Sequence, residues 1–160
     1  MSLKIGQPAP QFELFNSHKN KVSLDSYKGK NVVLLFFPLA FSSVCTKELC
    51  SVRDSMSKYE GLQAEVLGIS VDSLYTLGKF KEEQGLNFML LSDFNKEVSQ
   101  AYDCLYERFG YGMKGVSKRA AFVIDKEGIV RYAEVLENAA EVPDFGKINE
   151  TLEALSANGR

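Results

Sequence analysis

The stretch Asn31-Val32-Val33-Leu34-Leu35-Phe36-Phe37-Pro38-Leu39-Ala40-Phe41-Ser42-Ser43-Val44-Cys45 decides the fold. Asn31 to Phe37 is a near-continuous β-branched and aromatic run, the pattern of a strand buried on both faces. Pro38 ends it, because proline supplies no N–H to a ladder. From Thr46 to Tyr59 the apolar residues Leu49, Val52, Met56 and Tyr59 fall at i, i+3, i+7 and i+10, one stripe of a single expected helix. A buried strand running into an amphipathic helix is the opening of a β-α-β unit.

The same reading extends in both directions. Upstream, Pro8-Ala9-Pro10 is a stiff entry segment. Phe12-Glu13-Leu14 and Val22-Ser23-Leu24 alternate across a polar turn, as in a hairpin. Downstream, Glu65 to Val71 reads as a second buried strand and Ser73 to Gln84 as a helix closed by Gly85. Phe88 to Leu91 is a short strand, Lys96 to Tyr102 a short helix, and residues 103–118 a glycine-containing loop. Arg119 to Ile124 and Ile129 to Val135 are strands joined by the turn Asp125-Lys126-Glu127-Gly128, and Asp144 to Leu155 is a final amphipathic helix. The order is a hairpin, then βαβαβα, then ββα. It is an α/β class, a mixed central sheet flanked by helices, compatible with a thioredoxin-like core carrying an N-terminal β-hairpin extension. The expectation is one domain over residues 1–160.

Composition narrows the function. The chain is 45% hydrophobic and 25% charged with a net charge of −2, ordinary for a globular protein. Lys and Arg are scattered, so neither nucleic acid nor an anionic membrane surface is expected as a partner. The longest apolar run is too short to span a bilayer, and the first residues lack the apolar core of a secretory signal, which points to the cytoplasm. Three cysteines in 160 residues are too few for a disulfide scaffold. Cysteine here means chemistry or plain burial.

With Ser42 as N-cap, Cys45 falls at the third helical position. Backbone N–H groups there lack intrahelical partners, and the helix dipole is positive. Both favour a thiolate, the nucleophilic form of cysteine. Ser42 adds a hydroxyl able to donate to the sulfur or to a substrate oxygen, and the Pro38 ring can wall the pocket. The local pattern leaves a second reading open, a small buried hydrophobe.

The spacing Pro38-x-x-x-Ser42-x-x-Cys45 resembles the peroxiredoxin active-site signature, in which threonine is commoner than serine. Gly6-x-Pro8-Ala9-Pro10-x-Phe12, Phe36-Phe37-Pro38, Leu91-Ser92-Asp93 and Phe122-Val123-Ile124-Asp125 resemble other segments of that family. Phe36 to Phe41 is similar to the alkyl hydroperoxide reductase E branch. The resemblance implies that Arg119, three residues before Phe122, holds the thiolate ionised and orients a peroxide. Ala121 stands where the family usually has serine or threonine. The implied activity is a thiol-dependent peroxidase that reduces hydrogen peroxide and organic hydroperoxides through a sulfenic acid on Cys45, without metal or organic cofactor. A thioredoxin- or glutaredoxin-type reductant and a homodimer are the implied partners.

Cys50 lies five residues after Cys45. On an intact helix the two Cα atoms sit roughly 8 to 9 Å apart, beyond the usual disulfide limit of about 7 Å. The same spacing occurs in the bacterioferritin comigratory branch, where the second cysteine resolves the first. Cys50 is therefore a candidate resolving thiol, with burial beside Leu49 as the other reading. Cys104, in an apolar setting, is expected to be buried and is the lesser candidate. His18 sits in a polar turn and is read as solvated. The positions 18, 45, 50 and 104 lack paired short-range ligands, so no zinc site is expected. Glu48, in the first helical turns, is read as a surface acid complementing the dipole, with a part in ordering the site as the other reading. Two other functions remain: a thiol–disulfide oxidoreductase, although Cys45-x-x-Glu48 lacks its second thiol, and a peroxide sensor or chaperone.

Overall fold

A strand with apolar side chains on both faces must be covered on both sides. β3 (Asn31–Phe36) is buried along its whole length in the computed structural model, which describes residues 3–159. Around it lie β1 (Glu13–Asn16), β2 (Lys21–Ser23), β4 (Ala64–Ser70), β5 (Met89–Ser92), β6 (Arg119–Ile124) and β7 (Val130–Leu136). They form one seven-stranded sheet in the order β2-β1-β5-β4-β3-β6-β7. β3 pairs in parallel with β4, and β4 with β5; β6 runs antiparallel between β3 and β7. The N-terminal hairpin joins antiparallel at the free side of β5.

The helices are α1 (Ser43–Asp54), α2 (Met56–Gly61), α3 (Leu74–Gln84), α4 (Glu97–Ala101) and α5 (Phe145–Gly159). Strand alternation splits the core in two. Val33, Leu35, Phe37, Ala121 and Val123 face Cys45, Leu49, Leu77, Phe80, Ile148 and Leu152, so α1, α3 and α5 cover one side. Val32, Leu34, Phe36, Phe122 and Ile124 face Ala9, Phe12, Leu24, Val98, Tyr102 and Cys104 on the other. The entry segment is held there by the Tyr102 hydroxyl, which donates to Pro10 O at 2.7 Å.

The expected helix from Thr46 to Tyr59 is two helices. Ser55 leaves the helical region (φ −109°, ψ 10°), and its N–H reaches Val52 O, three residues back. The stripe survives the break: Leu49, Val52, Met56 and Tyr59 are all buried. Spacings of three and four residues fit a continuous helix and one interrupted by a tight turn equally well, so periodicity does not register the interruption. α3 closes as its sequence indicates. Ser73 Oγ accepts the Thr76 N–H at 3.1 Å, and Gly85 takes the left-handed conformation at φ 61°. Among the described residues no helix is long and apolar enough to cross a membrane.

Candidate active site

β3 delivers the chain to the carboxyl end of the parallel strands, where buried Pro38 turns it into the loop before α1. Asp72, just beyond β4, anchors that loop. Its Oδ2 accepts the Ala40 N–H at 2.8 Å and the Ser70 hydroxyl at 2.7 Å, and its backbone carbonyl accepts the Ser92 hydroxyl at 2.6 Å. Burial pushes the Asp72 carboxyl up, against the opposing hydrogen bonds from Ser70 and Ala40. Phe41 takes a positive φ of 70° and sets its ring edge-on to Phe80, centroids 5.0 Å apart.

Ser42 is the N-cap residue, and Cys45 is the third helical residue. The cap is made by backbone alone. The Ser42 carbonyl accepts Thr46 N and Thr46 Oγ1, both at 2.9 Å, whereas its hydroxyl donates to Leu39 O at 2.7 Å. That differs from the expected donation to the sulfur or to a substrate oxygen. With its proton committed to Leu39, the oxygen is left to act as an acceptor.

Arg119 opens β6 with its side chain on the face that α1 covers. It is 1% exposed, beside Cys45 at 0% and Glu48 at 2%. Every nitrogen of the guanidinium is used. Nη2 donates to Cys45 Sγ at 3.3 Å, Nη1 to Glu48 Oε1 at 2.7 Å, and Nε and Nη2 to Ala139 O at 3.1 and 2.9 Å. Burial works against the charge of Arg119, but the negative charges of Cys45 and Glu48 and their hydrogen bonds outweigh it and raise its pKa. The fork thus presents a fixed cation to the sulfur, with the carboxylate and the carbonyl setting its orientation.

Glu48 corrects the sequence reading of a surface acid. Three residues after Cys45 and four before Val52, it lies on the buried stripe of α1, and Arg119 compensates its charge. Burial pushes its carboxyl up to about 7, with the charge and hydrogen bond of Arg119 pulling the other way. Its Oε2 has no hydrogen-bond partner. The i, i+3 spacing from Cys45 was the available signal. Ala139 carries none: a backbone carbonyl in a connection after β7 has no sequence signature.

Around this centre, the Tyr106 hydroxyl donates to Glu137 O at 2.6 Å and Lys118 pairs with Glu137 Oε2 at 2.6 Å. These bonds tie the 103–118 loop to the connection that supplies Ala139. Tyr111 and Met113 of that loop are exposed, and His18 is exposed in the β1–β2 turn.

Cys45, Cys50 and Cys104 are all free thiols. α1 is continuous from Cys45 to Cys50, so the separation expected of an intact helix holds. Cys50 is half-buried against the core under α1, and its thiol donates to Gln84 Oε1 at 3.5 Å. Cys104 is fully buried on the opposite face of the sheet from Cys45. Burial pushes its thiol up, and the charges of Asp93 and Asp103 add to this. The sheet lies between Cys104 and Cys45. Among the described residues no group of three or more His, Cys, Asp or Glu is placed to hold a metal ion.

A buried thiol at the start of a helix, touching an oriented guanidinium, can act as a nucleophile while the guanidinium stabilises an oxygen anion formed beside it. Residues 5–133 match the AhpC/TSA family. The chain is 40% identical over 147 residues to peroxiredoxin Bcp of Bacillus subtilis, spanning 88% of this chain and 93% of that protein. It is 39% identical over 158 residues to alkyl hydroperoxide reductase E of Mycobacterium tuberculosis, spanning 97% and 99%. The crystal structure of peroxidoxin BcpB from Mycobacterium tuberculosis superposes with a TM-score of 0.84 at 30% identity, covering 96% of this chain and 98% of that one.

Proposed function

The chain belongs to the AhpC/TSA family as a peroxiredoxin, a thiol-dependent peroxidase, and from that premise we propose that Cys45 is its reacting thiol. The Cys45 thiolate attacks one peroxide oxygen, the O–O bond breaks, and the sulfur becomes a sulfenic acid. The other oxygen leaves as an anion and takes up a proton to give water or an alcohol. Arg119 faces both the thiolate and the departing oxygen, and a donor fixed in advance costs no reorganisation during the reaction. Ser42 accepts a hydrogen bond from the peroxide O–H, and Pro38 walls the site. The observation that carries this reading is the 3.3 Å contact between Arg119 Nη2 and Cys45 Sγ, both side chains buried.

The cycle closes through Cys50. Its sulfur attacks Cys45, the S–S bond forms, the S–O bond breaks, and hydroxide leaves with the Cys50 proton as water. The first turns of α1 unwind to let the sulfurs meet. A thioredoxin- or glutaredoxin-type dithiol then reduces the disulfide, in a cytoplasmic setting. A homodimer is the assembly that family analogy favours.

Stopped-flow consumption of hydrogen peroxide and an alkyl hydroperoxide by wild type, Cys45→Ser and Cys50→Ser tests the assignment. Cys45→Ser is expected to abolish consumption. Cys50→Ser is expected to keep the first oxidation and lose disulfide formation. Full activity in Cys45→Ser overturns the role of Cys45, and an unchanged cycle in Cys50→Ser that of Cys50.

A further inference from the structure

Cys50 is tied to a neighbouring helix by more than packing. Its thiol donates to the side-chain oxygen of Gln84, the last residue of α3. The backbone carbonyl of Gln84 accepts Nη1 of Arg53, three residues after Cys50 on α1. The amide of Asn87, just beyond α3, donates to Arg53 O at 3.3 Å. The second half of α1 is thereby fastened to the carboxyl end of α3. Cys45 instead takes its hydrogen bond from Arg119 on β6.

On the reading that Cys50 resolves Cys45, this arrangement stands in the way of the step. The sulfurs cannot meet while α1 is intact and Cys50 is docked. The proton that Cys50 must release is the one that Gln84 accepts. An amide oxygen accepts a hydrogen bond but is no base, so it holds that proton in place without removing it.

We propose that Gln84 is a latch on the resolving step, a positioning residue that holds Cys50 docked against α3 and so sets how fast the Cys45 sulfenic acid becomes a disulfide. Two fates compete for that sulfenic acid. Cys50 attack forms the S–S bond and releases water; a second peroxide instead adds oxygen to give sulfinic acid and releases water or an alcohol. Slower resolution diverts more of the protein to the second fate. Whatever factor accelerates resolution raises by the same factor the peroxide concentration that over-oxidises half of the protein.

The test uses reduced full-length wild type, Gln84→Ala and Gln84→Glu, with Cys50→Ser as reference. Each is mixed with one equivalent of hydrogen peroxide, quenched by alkylation at timed intervals and read by mass spectrometry. Sulfinic acid is then measured across a peroxide titration. Losing one weak S–H donor bond is expected to speed disulfide formation about twofold to fivefold in Gln84→Ala, and to raise the over-oxidising peroxide concentration equally. The rate of sulfenic acid formation stays at the wild-type value. Gln84→Glu keeps an acceptor oxygen and resolves at or below the wild-type rate. A Gln84→Ala rate equal to or slower than wild type overturns the latch while leaving Cys50 as resolver. Equal acceleration in Gln84→Ala and Gln84→Glu overturns it too, since that means general loosening of α1. A wild type that forms no Cys45–Cys50 disulfide removes the assignment of Cys50, and the latch with it.

Discussion

Replacing Glu48 by glutamine isolates what it costs to keep a carboxyl in this core. Burial holds the Glu48 carboxyl at about 7, above its ordinary value of 4.5. The folded state therefore keeps the Glu48 proton at pH values where the unfolded chain has lost it. Stability attached to this group is complete below about 4.5, falls as pH rises toward about 7, and is level above that. Between pH 5 and pH 8 the linkage amounts to about 2 to 3 kcal/mol, lost by wild type and not by Glu48→Gln. For a chain of this length that is about 5 to 10 °C in the difference between their Tm values. Thermal denaturation of both proteins at the two pH values reads it directly, with Glu48→Gln gaining on wild type as pH rises. The opposite outcome is concrete. If the attraction of Arg119 outweighed desolvation, the carboxyl would sit below 4.5 and Glu48→Gln would lose ground at pH 8. A constant or reversed Tm difference refutes the argument that burial dominates. Peroxide reduction moves the other way. A neutral amide holds Arg119 less firmly, and kcat/KM at pH 8 is expected to fall about tenfold.

Three further outcomes follow from the same contacts. Arg119→Lys keeps the charge but cannot serve Cys45, Glu48 and Ala139 O together, and stopped-flow oxidation of Cys45 is expected to slow about 10- to 100-fold. Asp72→Ala leaves the Ala40 N–H and the Ser70 hydroxyl without their acceptor, costing about 1 to 3 kcal/mol in urea unfolding and slowing peroxide reduction through a loosened loop. Tyr102→Phe strips the hydroxyl from Pro10 O on the far side of the sheet; it is expected to lower stability by about 1 to 2 kcal/mol with peroxide kinetics unchanged.

What could be read from the chain in advance is what neighbours along the chain encode. The buried run at Asn31 is a central strand, Ser42 caps a helix with Cys45 in its first turn, Ser73 and Gly85 bound α3, and the two hairpins flank a parallel core. Each rests on a period of two residues, a period of 3.6, or one residue suited to a terminus. The helix break at Ser55 escaped the same reading, because a stripe spaced by threes and fours is indifferent to one tightened turn.

The chemistry of the site was decided across the sheet. Cys45 and Arg119 lie 74 residues apart and meet because β6 pairs antiparallel with β3 in a register that turns Arg119 toward α1. That register also brings Arg119 to Glu48, which in isolation looks like any acid in the early turns of a helix, and draws in the Ala139 carbonyl. The connection after α4 packs Cys104 against the other face of the sheet from Cys45. Adjacent residues alone place a thiol in the first turn of a helix, since that depends on a few neighbouring backbone groups. Only the tertiary structure decided which charges surround it, because desolvation and ion pairing depend on what is packed alongside and not on what is bonded in series.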